Sequence, residues 1–258
     1  MRLPRRLERG ETAELVDHLD ELRSRLIVCG VAVLVASTGA YVVHQRLIAW
    51  LSHPLPHDHR KLVTLTVTEP FTTSLKVSLV AGFALALPVV VWQLWAFLAP
   101  ALDPRAQRSI RGMTAFAAGL LVVGLGFGYR VALPAALKFL VHYDHSIYDV
   151  QVRAGEYISF AVLVLAACGA VFELPIVVLG LVRIRALTSA KLRRNRRVGY
   201  LIVAAIGVAL PGVDPVTTVV ETIPLALLFE ASIWMSVAFE RRWSVGQQRD
   251  RQALVASE

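Results

Sequence analysis

The sequence predicts an all-α, polytopic membrane protein with six transmembrane helices. Hydrophobic residues make up 56% of the 258 residues and charged residues only 18%, whereas a soluble domain carries about 25% charged residues. Several runs without charge, or nearly so, also approach the roughly 20 apolar residues that a helix needs to cross a bilayer. These runs override the one or two soluble domains that the length alone would suggest.

Six apolar segments are predicted to be spans, and they form a single domain over 1–243. A cytoplasmic amphipathic helix is expected at 12–25, and the polar tail at 244–258 is expected to be disordered. The spans are predicted at about 26–49, 77–102, 112–137, 157–182, 198–211 and 216–239. Prolines within or beside them predict kinked helices in a bowl-like bundle: Pro88, Pro134, Pro211 and Pro224.

The connections between the spans carry their own signals. PGVDP, at Pro211–Pro215, has turn chemistry, so the short fifth span and the sixth are predicted to form a tight hairpin. LVTLTVTEP, at Leu62–Pro70, alternates like a short strand, but we expect it to belong to a periplasmic cap rather than to a sheet. The pair Gly124 and Gly128 would permit close approach of two helices.

The distribution of basic residues predicts the orientation of the chain in the membrane. The first 25 residues hold six, the loop 103–111 three, the loop 183–197 seven and the tail after Phe239 four, which is 20 of the 27. Cytoplasmic loops carry such an excess of Lys and Arg. Both termini are therefore predicted to be cytoplasmic, as an even number of spans requires. This bias also accounts for the net charge of +8 without a nucleic-acid partner.

HLDELRSRLI, at His18–Ile27, is a charged run directly before the first span. Leucines at helical spacing give it one apolar stripe, as in a helix that lies at the membrane interface. Glu21 and Arg25 could form an ordinary i, i+4 ion pair, which contributes about 0.3–0.5 kcal/mol. Alternatively, Glu21 awaits a cationic partner, because a guanidinium binds a carboxylate through two hydrogen bonds.

Glu173, in the sequence AVFELPIV, is an acid inside the fourth span. A charge at that depth costs about 2.5–3.5 kcal/mol on insertion scales, so an intramembrane acid is by default a functional residue with a partner. A protonated Glu173 bonded within the bundle is the other interpretation. Glu221 and Glu230 are weaker candidates of the same kind. An ion- or proton-coupled solute transporter that uses Glu173 is an alternative function, although the chain has no internal repeat.

Other candidate sites are weak. His53, His57 and His59 share the loop HPLPHDH with one Asp, but its prolines and irregular spacing favour a solvated loop over a metal site. Cys29 and Cys168 lie within apolar runs and are expected to be small buried hydrophobic residues. The sequence has no GxSxG, HExxH, Walker A or CxxC motif, so neither an enzyme nor a cofactor is predicted.

Four segments taken together resemble the TatC family, the polytopic subunit of the twin-arginine protein translocase. They are HLDELRSRLI, the block at Glu69–Leu102 that ends in WAFLAPAL, FELP at Phe172–Pro175, and PGVDP with IPLALLFE within Pro211–Glu230. The resemblance covers about 12–243. It implies a six-helix receptor in the bacterial cytoplasmic membrane for signal peptides with two consecutive arginines on folded precursors. It also implies TatA- and TatB-type single-span partners, several copies in one complex, and export driven by the protonmotive force.

The resemblance also implies roles for particular residues. Signal-peptide binding falls on Glu21, His18, Leu22, Arg23, Phe97 and Asp103. Glu173 would meet a partner helix, and structural or assembly roles fall on Pro54, Phe71, Pro88 and Asp214. Ala106 occupies the position at which the family usually has a second acid, and Asp103 is the only acid nearby. Either Asp103 substitutes for that acid, or this chain holds the two arginines with fewer charges.

Overall fold

The structure, a computed structural model, describes residues 9–55, 62–98, 110–143, 151–183, 186–209 and 215–255. These residues are almost entirely helical. The helices are α1 (Arg9–Val42), α2 (His44–Ser52), α3 (Glu69–Leu98), α4 (Ile110–Phe127), α5 (Leu133–His142), α6 (Ala154–Phe172), α7 (Leu174–Arg183), α8 (Ser189–Arg194), α9 (Arg196–Ala209) and α10 (Pro215–Val255).

Five helical segments of the described chain are long and apolar enough to cross a membrane: Leu19–Val42, Glu69–Phe97, Gly112–Val141, Ala154–Arg183 and Thr218–Glu240. The remaining predicted span, the fifth, corresponds to α9, which has only 14 residues. At 1.5 Å per residue it is about 21 Å long, against a hydrocarbon core of about 30 Å. The all-α membrane fold is confirmed with five candidate spans, which does not contradict six, and the fifth segment is as short as predicted.

The helices do not begin and end at the limits predicted for the spans. The first span was expected to run to 49, but Val43, with φ −107° and ψ 14°, separates α1 from α2. The second begins at Glu69 rather than Val77, because Pro70 fits the first turn of a helix, where no N–H is needed. In the last helix, α10 continues to Val255, across most of the tail for which disorder was expected.

Prolines lie inside or beside the breaks of the long helices, and the kinks predicted from them stay a prediction. Pro88 lies inside α3 and Pro224 inside α10. A five-residue π-helical turn, Gly128–Ala132, joins α4 to α5 directly before Pro134, which has no N–H to donate to the preceding turn. The fourth span breaks at Glu173, two residues before Pro175, and so divides into α6 and α7.

Helices α3, α4 and α6 contact one another, and α1, α7, α9 and α10 extend from this group. α1 lies against α3, α3 against α4 and α6, α7 against α10, and α10 against α9. Glycines allow the closest approaches: a Cβ at Gly124 would lie 2.7 Å from the Cβ of Phe172, and one at Gly82 would collide with Ser37. The prediction for Gly124 and Gly128 is therefore confirmed. The largest cluster of buried residues centres on α6, whereas α1 is mostly exposed.

The helix bundle has two different ends along the direction of its helices, which we call the cap end and the basic end. At the cap end, α2 and the segments 62–69 and 151–156 cover the helices, and Val63 forms an isolated parallel β-bridge with Arg153. At the basic end, α3 ends and α8 lies against α10. The cap has this one bridge within the described residues, in agreement with the expectation of a cap rather than a sheet.

Candidate functional site

Glu21 lies at the basic end, where α1 crosses the last turns of α3. Both Nε and Nη2 of Arg25 donate to its Oε1, at 2.9 and 2.5 Å, while Nη1 donates to Oε1 of Gln93 at 3.0 Å. The predicted i, i+4 pair is therefore present, and Arg25 also links α1 to α3. The side chain of Glu21 remains 33% exposed, so a second cation can reach this carboxylate.

The surroundings of Glu21 suit an interface. Leu22 and Arg23 are exposed, and so are Leu19 and Leu26 of the predicted stripe. Since α1 rests on the protein through another face, this stripe is available to lipid. Phe97 is half-buried in the last turn of α3.

Three predicted residues of this site fall outside what can be described. The side chain of His18 and the whole of Asp103 and Ala106 lie outside the described residues. Conversely, sequence reasoning missed Gln93, although it is the one amide in the apolar stretch 77–102. That single polar group was the available signal.

Glu173 occupies the break between α6 and α7. Its side chain is buried, and neither carboxylate oxygen has a hydrogen-bond partner among the described residues. Its backbone carbonyl is used, since it accepts from Ile176 and Val177 at 3.0 and 3.1 Å. An unsatisfied buried polar group costs about 1–3 kcal/mol, so the chain carries this acid at a cost to its own stability.

Residues next to Glu173 face the final hairpin. Val171 and Phe172 pack with Val203 of α9 and Leu225 of α10. Glu221, on α10, is 2% exposed and therefore as deeply buried as Glu173, although the sequence ranked it as a weaker candidate. Glu230, ranked the same way, is half-buried; it accepts from the hydroxyl of Tyr200 at 2.9 Å and forms an ion pair with Arg196 at 3.4 Å.

The cap end holds a carboxylate of a different kind. Glu69 is 4% exposed, and its oxygens accept from the N–H of Leu65 at 3.0 Å, the N–H of Gly155 at 2.7 Å and Nε of Arg153 at 3.1 and 3.2 Å. Hydrogen bonding to Glu69 raises the pKa of Arg153, which therefore remains a cation. A Cβ at Gly155 would lie 2.8 Å from this carboxylate. This cluster was not predicted.

The predicted structural residues are dispersed. Pro54 follows α2, Phe71 is exposed in the first turn of α3, and Pro88 lies in the middle of α3. Asp214, His57 and His59 lie outside the described residues, and His53 is exposed. The structure thus gives these residues no common site.

Two tyrosines fix α2 to the helices beneath it. The ring of Tyr129 stacks on Trp50, with centroids 3.8 Å apart, and its hydroxyl donates to the carbonyl of Trp50 at 2.9 Å. The hydroxyl of Tyr157 donates to the carbonyl of Leu51 at 2.5 Å. These contacts join α2 to the helices that carry Tyr129 and Tyr157.

Comparisons with known proteins agree with the resemblance. The family model described as Sec-independent protein translocase protein (TatC) matches residues 17–224. A Sec-independent protein translocase protein TatC from Carboxydothermus hydrogenoformans is 33% identical over 236 residues, or 91% of this chain and 97% of the relative. One from Aquifex aeolicus is 34% identical, over 88% of this chain and 96% of that relative.

Solved structures give the same result. The crystal structure of a twin arginine translocase receptor, TatC, superposes with a TM-score of 0.74 at 33% identity, over 86% of this chain and 98% of that one. The same receptor in the detergent DDM gives a TM-score of 0.76 at 34% identity, over 85% and 99%. The identity extends along nearly the whole length of both chains, and the helices superpose with it: this chain belongs to the TatC family.

Proposed function

We propose that this chain is the signal-peptide receptor and core subunit of a twin-arginine translocase, which exports folded proteins across the bacterial cytoplasmic membrane using the protonmotive force. The observation that carries this proposal is the likeness to two solved structures titled as twin-arginine translocase receptors. The excess of basic residues on alternate loops supports cytoplasmic termini. The basic end then faces the cytoplasm, where precursors are made.

Glu21 is the residue to which we assign the twin arginines. An incoming guanidinium takes the place of Arg25 at the half-exposed carboxylate, and Arg25 keeps its bond to Gln93. Such an exchange replaces one charged hydrogen-bonded pair by another, so little solvation is lost. His18, Leu22, Arg23 and Phe97 would shape the surrounding surface, and Asp103 would supply the second acid if there is one.

Glu173 is the residue to which we assign a partner helix from a TatA- or TatB-type subunit. Its carboxylate is buried, without a hydrogen-bond partner among the described residues, and it borders the packed contact with α9 and α10. A donor on a partner helix would satisfy it. Several copies of the chain then assemble in the receptor complex, and we assign Pro54, Phe71, Pro88 and Asp214 to structure or assembly.

The alternative of a solute transporter is not favoured, because both the family and the solved structures are those of a protein translocase. Uptake of a solute by the purified chain alone, lost in Glu173→Gln, would restore it.

Export of a twin-arginine precursor tests the role of Glu21. In cells that lack their own receptor subunit, Glu21→Ala and Glu21→Lys should abolish export while the protein still inserts. Asp20→Ala is the matched control, since Asp20 is an exposed acid on the adjacent position of α1, and it should export normally. Normal export by both Glu21 variants would remove the assignment.

Photo-crosslinking tests the rest of the surface. Probes at Glu21, Phe97, Asp103 and Ala106 should crosslink to a twin-arginine signal peptide and not to its twin-lysine version. A crosslink from 103 but not from 106 would make Asp103 the second acid. Absence of any arginine-dependent crosslink would remove the receptor function itself.

A further inference from the structure

A basic segment, residues 191–197, joins α8 to α9 and carries five cations in seven residues: Lys191, Arg193, Arg194, Arg196 and Arg197. All are exposed except Arg196, which is half-buried. The bias of positive charge toward the cytoplasm accounts for the composition of such a segment. It does not account for the way in which this one is held.

Both ends of the basic segment are fastened to α10. Just before it, the N–H of Ser189 donates to Oε1 of Glu240 at 3.0 Å, and the hydroxyl of Ser189 donates to the other oxygen. At its far end, Arg196 pairs with Glu230 at 3.4 Å and lies 5.9 Å from the ring centre of Trp234. The backbone that carries Lys191, Arg193 and Arg194 is therefore attached to α10 on both sides of these cations.

The attachments also set the depth of the segment. Glu230 and Glu240 are ten residues apart on α10, or about 15 Å, and both lie in its membrane-length stretch Thr218–Glu240. The basic segment therefore runs beside the last turns of an apolar helix of membrane length, close to the point at which that helix would leave the bilayer. Trp234, which is 62% exposed, is the kind of residue found at that level.

Of the five cations, only Arg196 is paired with a neighbouring acid among the described side chains. Glu230 pairs with Arg196, and Glu240 is engaged by Ser189. Among the residues whose side chains the structure describes, no carboxylate lies within ion-pair distance of Lys191, Arg193, Arg194 or Arg197. Guanidinium groups bind phosphate oxygens through paired hydrogen bonds, and clustered cations beside a membrane helix attract anionic lipids.

We infer that the basic segment is a binding surface for the phosphate headgroups of anionic phospholipids, which Ser189, Glu240 and Glu230 position at the membrane surface. The ligand class follows from depth and charge together: headgroup phosphates are the anions present at that level. This inference does not depend on the proposed function, because it concerns lipid contact and not precursor binding.

Spin-labelled lipids test the inference on the full-length chain in phosphatidylcholine vesicles. The unaltered chain should prefer labelled phosphatidylglycerol to labelled phosphatidylcholine several-fold, and added salt should weaken the preference. The variant K191Q/R193Q/R194Q/R197Q should bring the preference close to equality. R2Q/R5Q/R6Q/R9Q removes the same charge from the N-terminal segment and should keep it.

An equal loss in both variants would overturn the inference, since net charge alone would then set lipid preference. Full preference in K191Q/R193Q/R194Q/R197Q would also overturn it. The single variants Arg193→Gln and Arg194→Gln, with intermediate losses expected, serve if the fourfold variant does not fold. Glu240→Ala removes no cation but frees the segment at Ser189, and it should lower the preference; an unchanged preference would remove Glu240 as a positioning residue.

Discussion

Two buried carboxylates, Glu69 at the cap end and Glu173 in the break of the fourth span, have opposite surroundings. Glu69 receives hydrogen bonds from two backbone N–H groups and from Arg153. Glu173 is similarly buried, but among the described residues nothing donates to its oxygens. The first closes the fold on itself, because it joins the start of α3 to the start of α6. The second, Glu173, has a carboxylate that still lacks a hydrogen-bond donor among the described residues.

The difference indicates which of the two acids is satisfied within the chain. Removing one partner of a buried, satisfied pair leaves the other groups unpaired and is destabilising, whereas replacing an unsatisfied group by an apolar one is nearly neutral or stabilising. An acid retained without a partner inside one chain is therefore a candidate for a contact with another molecule. Glu21 lies between these cases, since it is paired yet half-exposed.

Glu69→Ala should have the largest effect on stability. It removes the acceptor of the Leu65 and Gly155 N–H groups and leaves Arg153 without its buried partner. We expect a fall of several degrees in the apparent melting temperature of the purified protein, measured by a thermal-shift assay in detergent. Glu156→Ala is the control, because Glu156 is an exposed partner of the same Arg153. Equal falls in both would show that Glu69 has no special structural role.

Glu173→Leu should have the opposite effect on stability to Glu69→Ala. Since the carboxylate is unsatisfied within the chain, its removal should leave stability unchanged or raise it by about 1–3 kcal/mol, while export and crosslinking to a single-span partner subunit fall. The same thermal-shift assay, combined with an export assay, checks both parts. A marked loss of stability would mean that Glu173 has a structural partner after all, and the comparison with Glu69 would fail.

Gly155→Ala should have a smaller effect in the same direction as Glu69→Ala. The new Cβ would lie 2.8 Å from Oε1 of Glu69, so the carboxylate must shift and its bond to the Gly155 N–H must lengthen. We expect a melting temperature between those of the unaltered chain and Glu69→Ala. The double variant should be no less stable than Glu69→Ala alone, since the clash requires the carboxylate; additive losses would contradict this.

Tyr200→Phe should have the smallest effect. It removes one hydrogen bond to Glu230, which keeps its ion pair with Arg196. We expect the melting temperature to change least of the four variants and export to be unaffected. A large loss of export would instead place Glu230 with the functional acids.

The sequence predicted which segments are helical better than it predicted the residues at which each helix begins and ends. Run length and basic-residue counts were enough for the six segments, because they depend on local composition. They could not locate the break at Val43, the start at Glu69 or the helix that continues to Val255. Such limits depend on what each end packs against, and Pro70 was the one local signal that could have moved the start of α3.

The candidate sites also differ in whether local sequence or tertiary packing determines them. Glu21 and Glu173 were visible in the sequence because a charge beside or inside an apolar run is unusual there. Gln93 at Arg25, Arg153 at Glu69 and Glu240 at Ser189 were not visible, since their positions are separated by 68, 84 and 51 residues. The sequence pattern within one helix does not show which side chain of another helix will contact it.

The sequence by itself determined that this chain is helical, crosses a membrane, and carries acids where they are costly. These properties follow from the hydrophobicity and charge of contiguous residues. Only the tertiary structure decided which acids are satisfied, because hydrogen bonds act over about 3 Å and the donors come from distant helices. That is why Glu69 is satisfied by Gly155 and Arg153, whereas Glu173 has no donor among the described residues.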